Sequence, residues 1–140
     1  VIPDFAQLAG TIRYFDKETG QFIRTKFPKI VNDICEAFGA NAEINYKEGY
    51  PPTINENSSA KFALEVAKDV AGENASENQV PMMGSEDFSF FLQEKPGAYA
   101  WIRNGNSASL HNPSYDFNDD VLPIGASFLS RIAEKALNNN

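Results

Sequence analysis

The sequence predicts an α/β fold, because segments with strand periodicity alternate along the chain with segments of helical periodicity. The 140 residues are 42% hydrophobic and 12% aromatic, which is typical of a globular protein with an apolar core. Consecutive prolines, Pro51-Pro52, divide the chain, since proline cannot occupy a central strand. We therefore predict two parts, residues 1–52 and residues 53–140.

The first part is predicted to form β-α-β. Residues 5–15 are rich in β-branched and aromatic side chains with partial alternation, which favours a strand, and residues 42–46 favour another. Apolar residues at three- and four-residue spacing predict an amphipathic helix between Phe22 and Phe38, after a polar connection over residues 16–20. We expect these few elements to complete a sheet whose other strands lie upstream, because alone they bury too little surface.

Two residues are expected to shape this helix. Gly39 follows it as a C-terminal cap. Pro28 lacks a backbone donor, so the helix either kinks there or begins its regular part there. Cys35 belongs to the apolar series of the helix, which favours a small core residue over a nucleophile.

The second part is predicted to alternate helix and strand. A helix capped by Asn57 or Ser58 should end at Gly72. A short helix is expected from Ser85 to about residue 93, a strand over 98–103, and a closing helix whose first position is Pro123.

Composition excludes several classes of partner. The formal net charge of -7 and the lack of clustered Lys and Arg argue against nucleic acid. No run approaches the ~20 apolar residues of a membrane-spanning helix, and no signal peptide opens the chain. The chain also lacks an initiator methionine, so we expect the natural polypeptide to extend upstream. A cytoplasmic location is our separate expectation.

Two loops are candidates for chemistry, residues 83–88 and 110–120. The second contains the only histidine, His111, and a lone loop histidine is more often a surface or hydrogen-bonding residue than a metal ligand. Zinc needs three or four ligands, so any metal site in this chain is predicted to be incomplete. Glu86 and Asp87 point about 100° apart on a helix and cannot form a shared acid/base pair, but they suit a helix N-terminus.

Four segments of the chain together resemble the aminoacylase/hippurate hydrolase family of two-metal, metallopeptidase-fold amidohydrolases. They are V-I-P-D with G-T-I-R-Y-F-D, F-G-A-N-A-E-I-N-Y-K-E-G-Y-P-P-T-I-N, P-M-M-G-S-E-D-F-S-F-F, and L-H-N-P-S-Y-D-F-N-D with L-P-I-G-A. The resemblance implies that residues 1–52 are the second half of a ferredoxin-like lid, or dimerisation, domain. It implies that residues 53–140 are the C-terminal part of the α/β catalytic domain.

The resemblance also implies the chemistry. Family members use two divalent metal ions, commonly zinc or manganese, with a glutamate as general base. His111 matches the last metal ligand of the family, and Ser85 and Glu86 match a loop that borders its active site, where they would hold a ligand in place or touch substrate. The other ligands and the general base are expected upstream, so no catalytic residue is assigned here.

The implied activity is hydrolysis of N-acyl or N-aroyl amino acids to a carboxylic acid and a free amino acid, by a homodimer formed through the lid. The fragment by itself is predicted to bind no metal stably and to be inactive. The alternative, from another class, is a non-catalytic dimerisation or ligand-binding module derived from the same family.

Overall fold

A computed structural model describes residues 1–77 and 79–138 of the chain. This part contains four α-helices: α1 (Lys17–Ala37), α2 (Asn57–Ala71), α3 (Phe88–Glu94) and α4 (Leu122–Asn138). Two short 3₁₀ turns, Gly72–Asn74 and Asp119–Val121, follow α2 and precede α4. No helix in these ranges combines the length and the apolar character needed to cross a membrane.

The chain folds into two compact units. The first consists of Val1–Thr53 with Pro81–Ser89, and the second of Ile54–Val80 with Phe90–Asn140. The predicted assignment of residues 1–52 and 53–140 to lid and catalytic parts remains a prediction.

The described residues include no strand, so the strands predicted over 5–15, 42–46 and 98–103 are not formed. A strand requires a neighbouring segment with which its N–H and C=O groups form a ladder, and no ladder joins any of these segments in residues 1–77 and 79–138. An alternating composition gives a segment the tendency to form a strand, but it does not provide the second segment with which that strand must pair. In the part of the chain that the structure describes, the helices of the predicted α/β class are therefore present and its sheet is absent.

Helix α1 begins earlier than its periodicity predicts. Asp16 caps it, accepting hydrogen bonds from the backbone nitrogen of Thr19 at 2.7 Å and from the Thr19 hydroxyl at 2.8 Å. These two bonds, the backbone one above all, lower the pKa of Asp16. Residues 16–20 are therefore the start of the helix, and the prediction of a polar connection there was wrong.

The interior and end of α1 follow simple backbone rules. Pro28 lies inside the helix, which excludes a helix that begins there. Gly39 follows with φ +69°, and its N–H donates to the carbonyl of Glu36 at 3.0 Å, so its predicted role at the C-terminus is confirmed. Cys35 is half-buried on α1 and is not a fully buried core residue.

Helix α2 is capped by Glu56, one residue before the predicted caps Asn57 and Ser58. The Glu56 carboxylate accepts from the backbone nitrogens of Ser58 at 2.9 Å and Ser59 at 2.7 Å, and from both serine hydroxyls. These bonds, the one from the Ser58 hydroxyl first, lower the pKa of Glu56 to about 2. The predicted stop at Gly72 is confirmed, with φ +57° at that residue.

Packing of α2 against α4 forms the centre of the second unit. Val66 on α2 is the one fully buried hydrophobic side chain among the described residues. Asp69 on α2 accepts from the Lys135 ammonium of α4 at 2.6 Å, and this bond lowers the pKa of Asp69. Helix α4 begins at Leu122, one residue before Pro123, and α3 begins at Phe88, three residues after Ser85.

Candidate functional site

His111 lies at the corner of a tight turn in the second unit. The backbone nitrogen of Asn112 donates to the carbonyl of Ser109 at 3.1 Å, which places Leu110 and His111 at the two central positions of the turn. The φ of His111 is +68°, and no other residue of 1–77 and 79–138 except glycine has a positive φ. Histidine adopts this left-handed conformation more readily than most residues, but at a cost of roughly 1–2 kcal/mol that the loop must sustain.

A second turn follows at once and fixes the chain after His111. The carbonyl of Asn112 accepts from the backbone nitrogen of Tyr115 at 2.9 Å, and its side-chain oxygen accepts from that of Ser114 at 2.8 Å. Pro113 occupies the second position of this turn, where its restricted φ is favourable. The segment H-N-P-S thus forms two successive turns that share Asn112.

The ends of the His111 loop are joined by the side chain of Asn104. Its amide nitrogen donates to the carbonyl of Asp116 at 2.6 Å and to the hydroxyl of Ser107 at 2.9 Å. Its amide oxygen accepts from the backbone nitrogen of Asn118 at 2.7 Å. His111 lies midway between Asn104 and Asn118, in a loop of the compact kind that often carries function.

The His111 side chain suits a metal ligand. It is exposed, and among residues 1–77 and 79–138 its ring forms no hydrogen bond or ion pair. Imidazole is the commonest metal ligand in proteins. The loop over residues 104–120 contains acidic residues but no Lys or Arg, so the negative charge of the loop favours a cation. The described residues contain no cluster of three or more His, Cys, Asp or Glu able to hold a metal. Among these residues, the exposed His111 imidazole is chemically suited to act as a single ligand to a metal ion.

An open depression lies on the same loop and is distinct from the His111 ring. Amide, hydroxyl and carboxylate groups predominate in its lining, which consists of Asn104, Asn106, Ser107, Ala108, Ser114, Asp116, Phe117, Asn118, Asp119 and Asp120. His111 is not part of this lining, so the depression by itself assigns no role to the histidine.

Ser85 belongs to the first unit, where it contacts a residue that sequence reasoning did not single out. The hydroxyl of Ser85 accepts a hydrogen bond from a terminal nitrogen of the Arg13 guanidinium. Both residues are exposed. A guanidinium has five N–H donors, so Arg13 retains donors for another ligand. The sequence contains only a weak signal for this role, a cation among the apolar residues of G-T-I-R-Y-F.

Glu86 is half-buried and faces the start of α3. Its carboxylate accepts from the backbone nitrogen of Phe88 at 3.3 Å, and its carbonyl accepts from the hydroxyl of the fully buried Ser89 at 2.6 Å. These contacts match the expected preference for negative charge at a helix N-terminus. A role of Glu86 toward substrate remains a prediction.

Comparison with known proteins extends over nearly the whole chain. Residues 5–135 match peptidase family M20/M25/M40. A hippurate hydrolase of Campylobacter jejuni is 41% identical over 138 residues, which is 98% of this chain and 36% of that protein. The IAA-amino acid hydrolase ILR1-like 4 of Arabidopsis thaliana is 33% identical over 98% of this chain and 33% of its own length.

A third relative shows the same pattern of coverage. Thermostable carboxypeptidase 1 of Saccharolobus solfataricus is 33% identical over 99% of this chain and 36% of its own length. The chain thus spans about a third of the length of the curated relatives that it matches.

Proposed function

The chain belongs to peptidase family M20/M25/M40, and on that basis we propose that it is the C-terminal part of a metal-dependent amidohydrolase. The resemblance seen in four sequence segments is thereby confirmed at the level of the family. The proposed reaction hydrolyses N-acyl or N-aroyl amino acids to a carboxylic acid and a free amino acid. Hippurate is an N-aroyl amino acid, so the names of the hippurate and IAA-amino acid hydrolases support this substrate class.

The observation that carries the proposal is the presentation of His111. Its ring is exposed and forms no hydrogen bond with the described residues. Two turns and the hydrogen bonds of the Asn104 amide fix the backbone of the loop that contains it. In the intact enzyme His111 would hold one of two divalent ions, zinc or manganese. Such ions polarise an amide carbonyl and lower the pKa of water, while an upstream glutamate is the proposed general base.

Arg13 and Ser85 are proposed to bind the substrate carboxylate. Every N-acyl amino acid has such a group, and a guanidinium binds carboxylates through two parallel N–H bonds. The bond from Arg13 to Ser85 uses one donor and restricts the rotation of the guanidinium, which supports a preorganised fork. Glu86 is proposed to support the same loop through its contacts with the start of α3.

Residues 1–52 are proposed to be the second half of a ferredoxin-like lid, and residues 53–140 the end of the α/β catalytic domain. The shortage of buried apolar surface supports this division of a larger fold, since Val66 is the one fully buried hydrophobic side chain in residues 1–77 and 79–138. Trp101 and Ile102, in a segment predicted as a strand, are 55% and 48% exposed. Strands from the remainder of the protein would cover such residues.

A homodimer through the lid is proposed as the assembly. Helix α1 presents Phe22, Ile30 and Ile34 at 62%, 53% and 54% exposure, and an apolar surface of that kind favours burial against a partner. A cytoplasmic location is part of the same proposal and rests on the sequence alone.

The test is a hydrolysis assay on the full-length protein and on residues 1–140 alone. With added zinc or manganese, the full-length protein should release glycine from hippurate, and a chelator should abolish the activity. Residues 1–140 alone should show no turnover under the same conditions, because they hold too few ligands. Binding without turnover by the metal-loaded full-length protein would instead support the non-catalytic module. Turnover by the isolated chain would contradict the assignment of the other ligands and the base upstream.

A further inference from the structure

We propose that Asn104 is a positioning residue for His111, which acts through the loop and has no contact with the imidazole itself. The inference deepens the proposed function and rests on it. It begins from three hydrogen bonds of one amide, two donated by nitrogen to Ser107 and Asp116 and one accepted by oxygen from Asn118. All the donors of this amide are used, so its orientation is fixed.

The position of these bonds gives them their effect on His111. Two of them join Asn104, where the loop begins, to residues 116 and 118, where the loop ends. His111 lies at the midpoint between Asn104 and Asn118. Closing the ends of a flexible segment removes much of the conformational freedom of the residues between them. The turns on either side of His111 then need to fix only the few remaining dihedral angles, including the unfavourable positive φ.

The same bonds connect the loop to a rigid element. The side chain of Asn118, whose backbone bonds to Asn104, accepts from the backbone nitrogen of Asp120 at 3.0 Å and caps the 3₁₀ turn before α4. The three hydrogen bonds of the Asn104 amide, which we call the Asn104 clamp, therefore connect the loop to the start of a long helix. Ligand side chains need this kind of support, because an imidazole displaced from the productive position binds metal poorly.

Only an amide of this length provides the three bonds. Aspartate would keep the acceptor for Asn118 but lose both donors, and alanine would lose all three groups. Asn106 is the matched control, because it lies in the same loop and its side chain forms no hydrogen bond within residues 1–77 and 79–138. Comparison of Asn104→Ala with Asn106→Ala separates the clamp from the general loss of an amide.

The experiment measures zinc dissociation constants by chelator competition in the full-length protein, and amide hydrogen exchange in the metal-free form. Asn104→Ala should weaken zinc binding about 10- to 100-fold, the usual effect of removing a group that orients a ligand. Asn104→Asp should have a smaller effect, and Asn106→Ala none. In the metal-free protein, Asn104→Ala should accelerate exchange in the loop between residues 105 and 117 and leave α4 unchanged, which also excludes global unfolding.

A double-mutant cycle separates the positioning role of Asn104 from the proposed metal-binding role of His111. In a His111→Ala background, Asn104→Ala should weaken zinc binding no further, because its effect passes through the imidazole. If His111→Ala loses metal while Asn104→Ala binds zinc as the parent does, the positioning role alone is overturned. If His111→Ala itself retains all its metal, the proposed function fails and the positioning role fails with it.

Discussion

The guanidinium of Arg13 donates a hydrogen bond to the hydroxyl of Ser85, although 72 positions separate the two residues in the chain. The contact links the segment G-T-I-R-Y-F to the segment M-M-G-S-E-D within one folded unit. Arg13 is a cation, and Ser85 is one of the two residues that the family resemblance places beside the substrate. We therefore predict that Arg13 takes part in substrate recognition.

Removing the Arg13 guanidinium should weaken the binding of substrates that have a free carboxylate. In the full-length protein, Arg13→Ala should raise KM for hippurate about 10- to 100-fold, the range expected for lost hydrogen bonds to a charged group. Arg13→Lys should lie between the variant and the parent, because an ammonium keeps the charge but not the two-pronged geometry.

The carboxamide analogue of hippurate provides the control for this prediction. It lacks the negative charge, so Arg13→Ala should change its KM much less. Ser85→Ala should have a smaller effect than Arg13→Ala, and no effect when Arg13 is already alanine. If Arg13→Ala raises KM equally for hippurate and for its carboxamide, Arg13 does not bind the carboxylate.

The Glu56 cap should make α2 sensitive to acid. The pKa of Glu56 is about 2 in the folded protein against an ordinary value of 4.5, so the unfolded chain binds this proton more tightly than the folded one. The stabilisation is present in full above about pH 4.5 and is lost as pH falls toward 2. Glu56→Gln should therefore reduce stability at pH 7 and flatten the dependence of unfolding free energy on pH between 5 and 3.

Glu65→Gln is the matched control for the cap, because Glu65 lies exposed in the same helix and away from its N-terminus. Urea unfolding monitored by circular dichroism at several pH values measures both variants. Parallel profiles for Glu56→Gln and the parent would show that the carboxylate does not stabilise α2.

Tyr14 and Gly20 should depend on each other. Gly20 is buried in the first turns of α1, and a Cβ atom added there would lie 2.5 Å from the Tyr14 ring. Alanine normally stabilises a helix by about 0.5–1 kcal/mol relative to glycine, but here the methyl group must displace the ring. Gly20→Ala should therefore yield less than this gain, or a loss, in the free energy of unfolding.

The Tyr14 dependence can be tested in a variant without the ring. In a Tyr14→Ala background the obstacle is gone, and Gly20→Ala should give the full ~0.5–1 kcal/mol stabilisation. The same gain with and without Tyr14 would mean that the ring does not rest on Gly20.

Periodicity predicted the helices well where a local signal marked their ends. Gly72 and Gly39 were correctly predicted to follow α2 and α1. The residue after a helix often has a positive φ, and glycine adopts a positive φ more readily than other residues. The start of α1 was missed because Asp16 and Thr19 look like loop residues until their side chains are seen to bond to one another. The cap of α2 was displaced by one residue because glutamate is an uncommon cap, and its long side chain reaches both serines here.

The strands and the contacts of the site depended on partners distant in sequence. Residues 98–103 have strand composition, but composition cannot create the neighbouring segment that a ladder requires. The turn that follows His111 was implicit in Asn112-Pro113, a turn-forming pair. The bonds of Asn104 to residues 116 and 118, and of Arg13 to Ser85, follow no local pattern and become visible only in the folded chain.

The decisive measurement for the proposed role of His111 is the metal content of the full-length protein in which this residue is replaced. His111→Asn is the sharper variant, since asparagine tolerates a positive φ and the loop should keep its shape while losing the imidazole. Bound metal is measured by inductively coupled plasma mass spectrometry, and turnover by hydrolysis of hippurate, in the parent and in the His111→Asn and His111→Ala variants. Both variants should lose bound metal and nearly all hydrolysis of hippurate. Metal content and turnover equal to those of the parent would contradict the assignment of His111 and the hydrolytic site built on it.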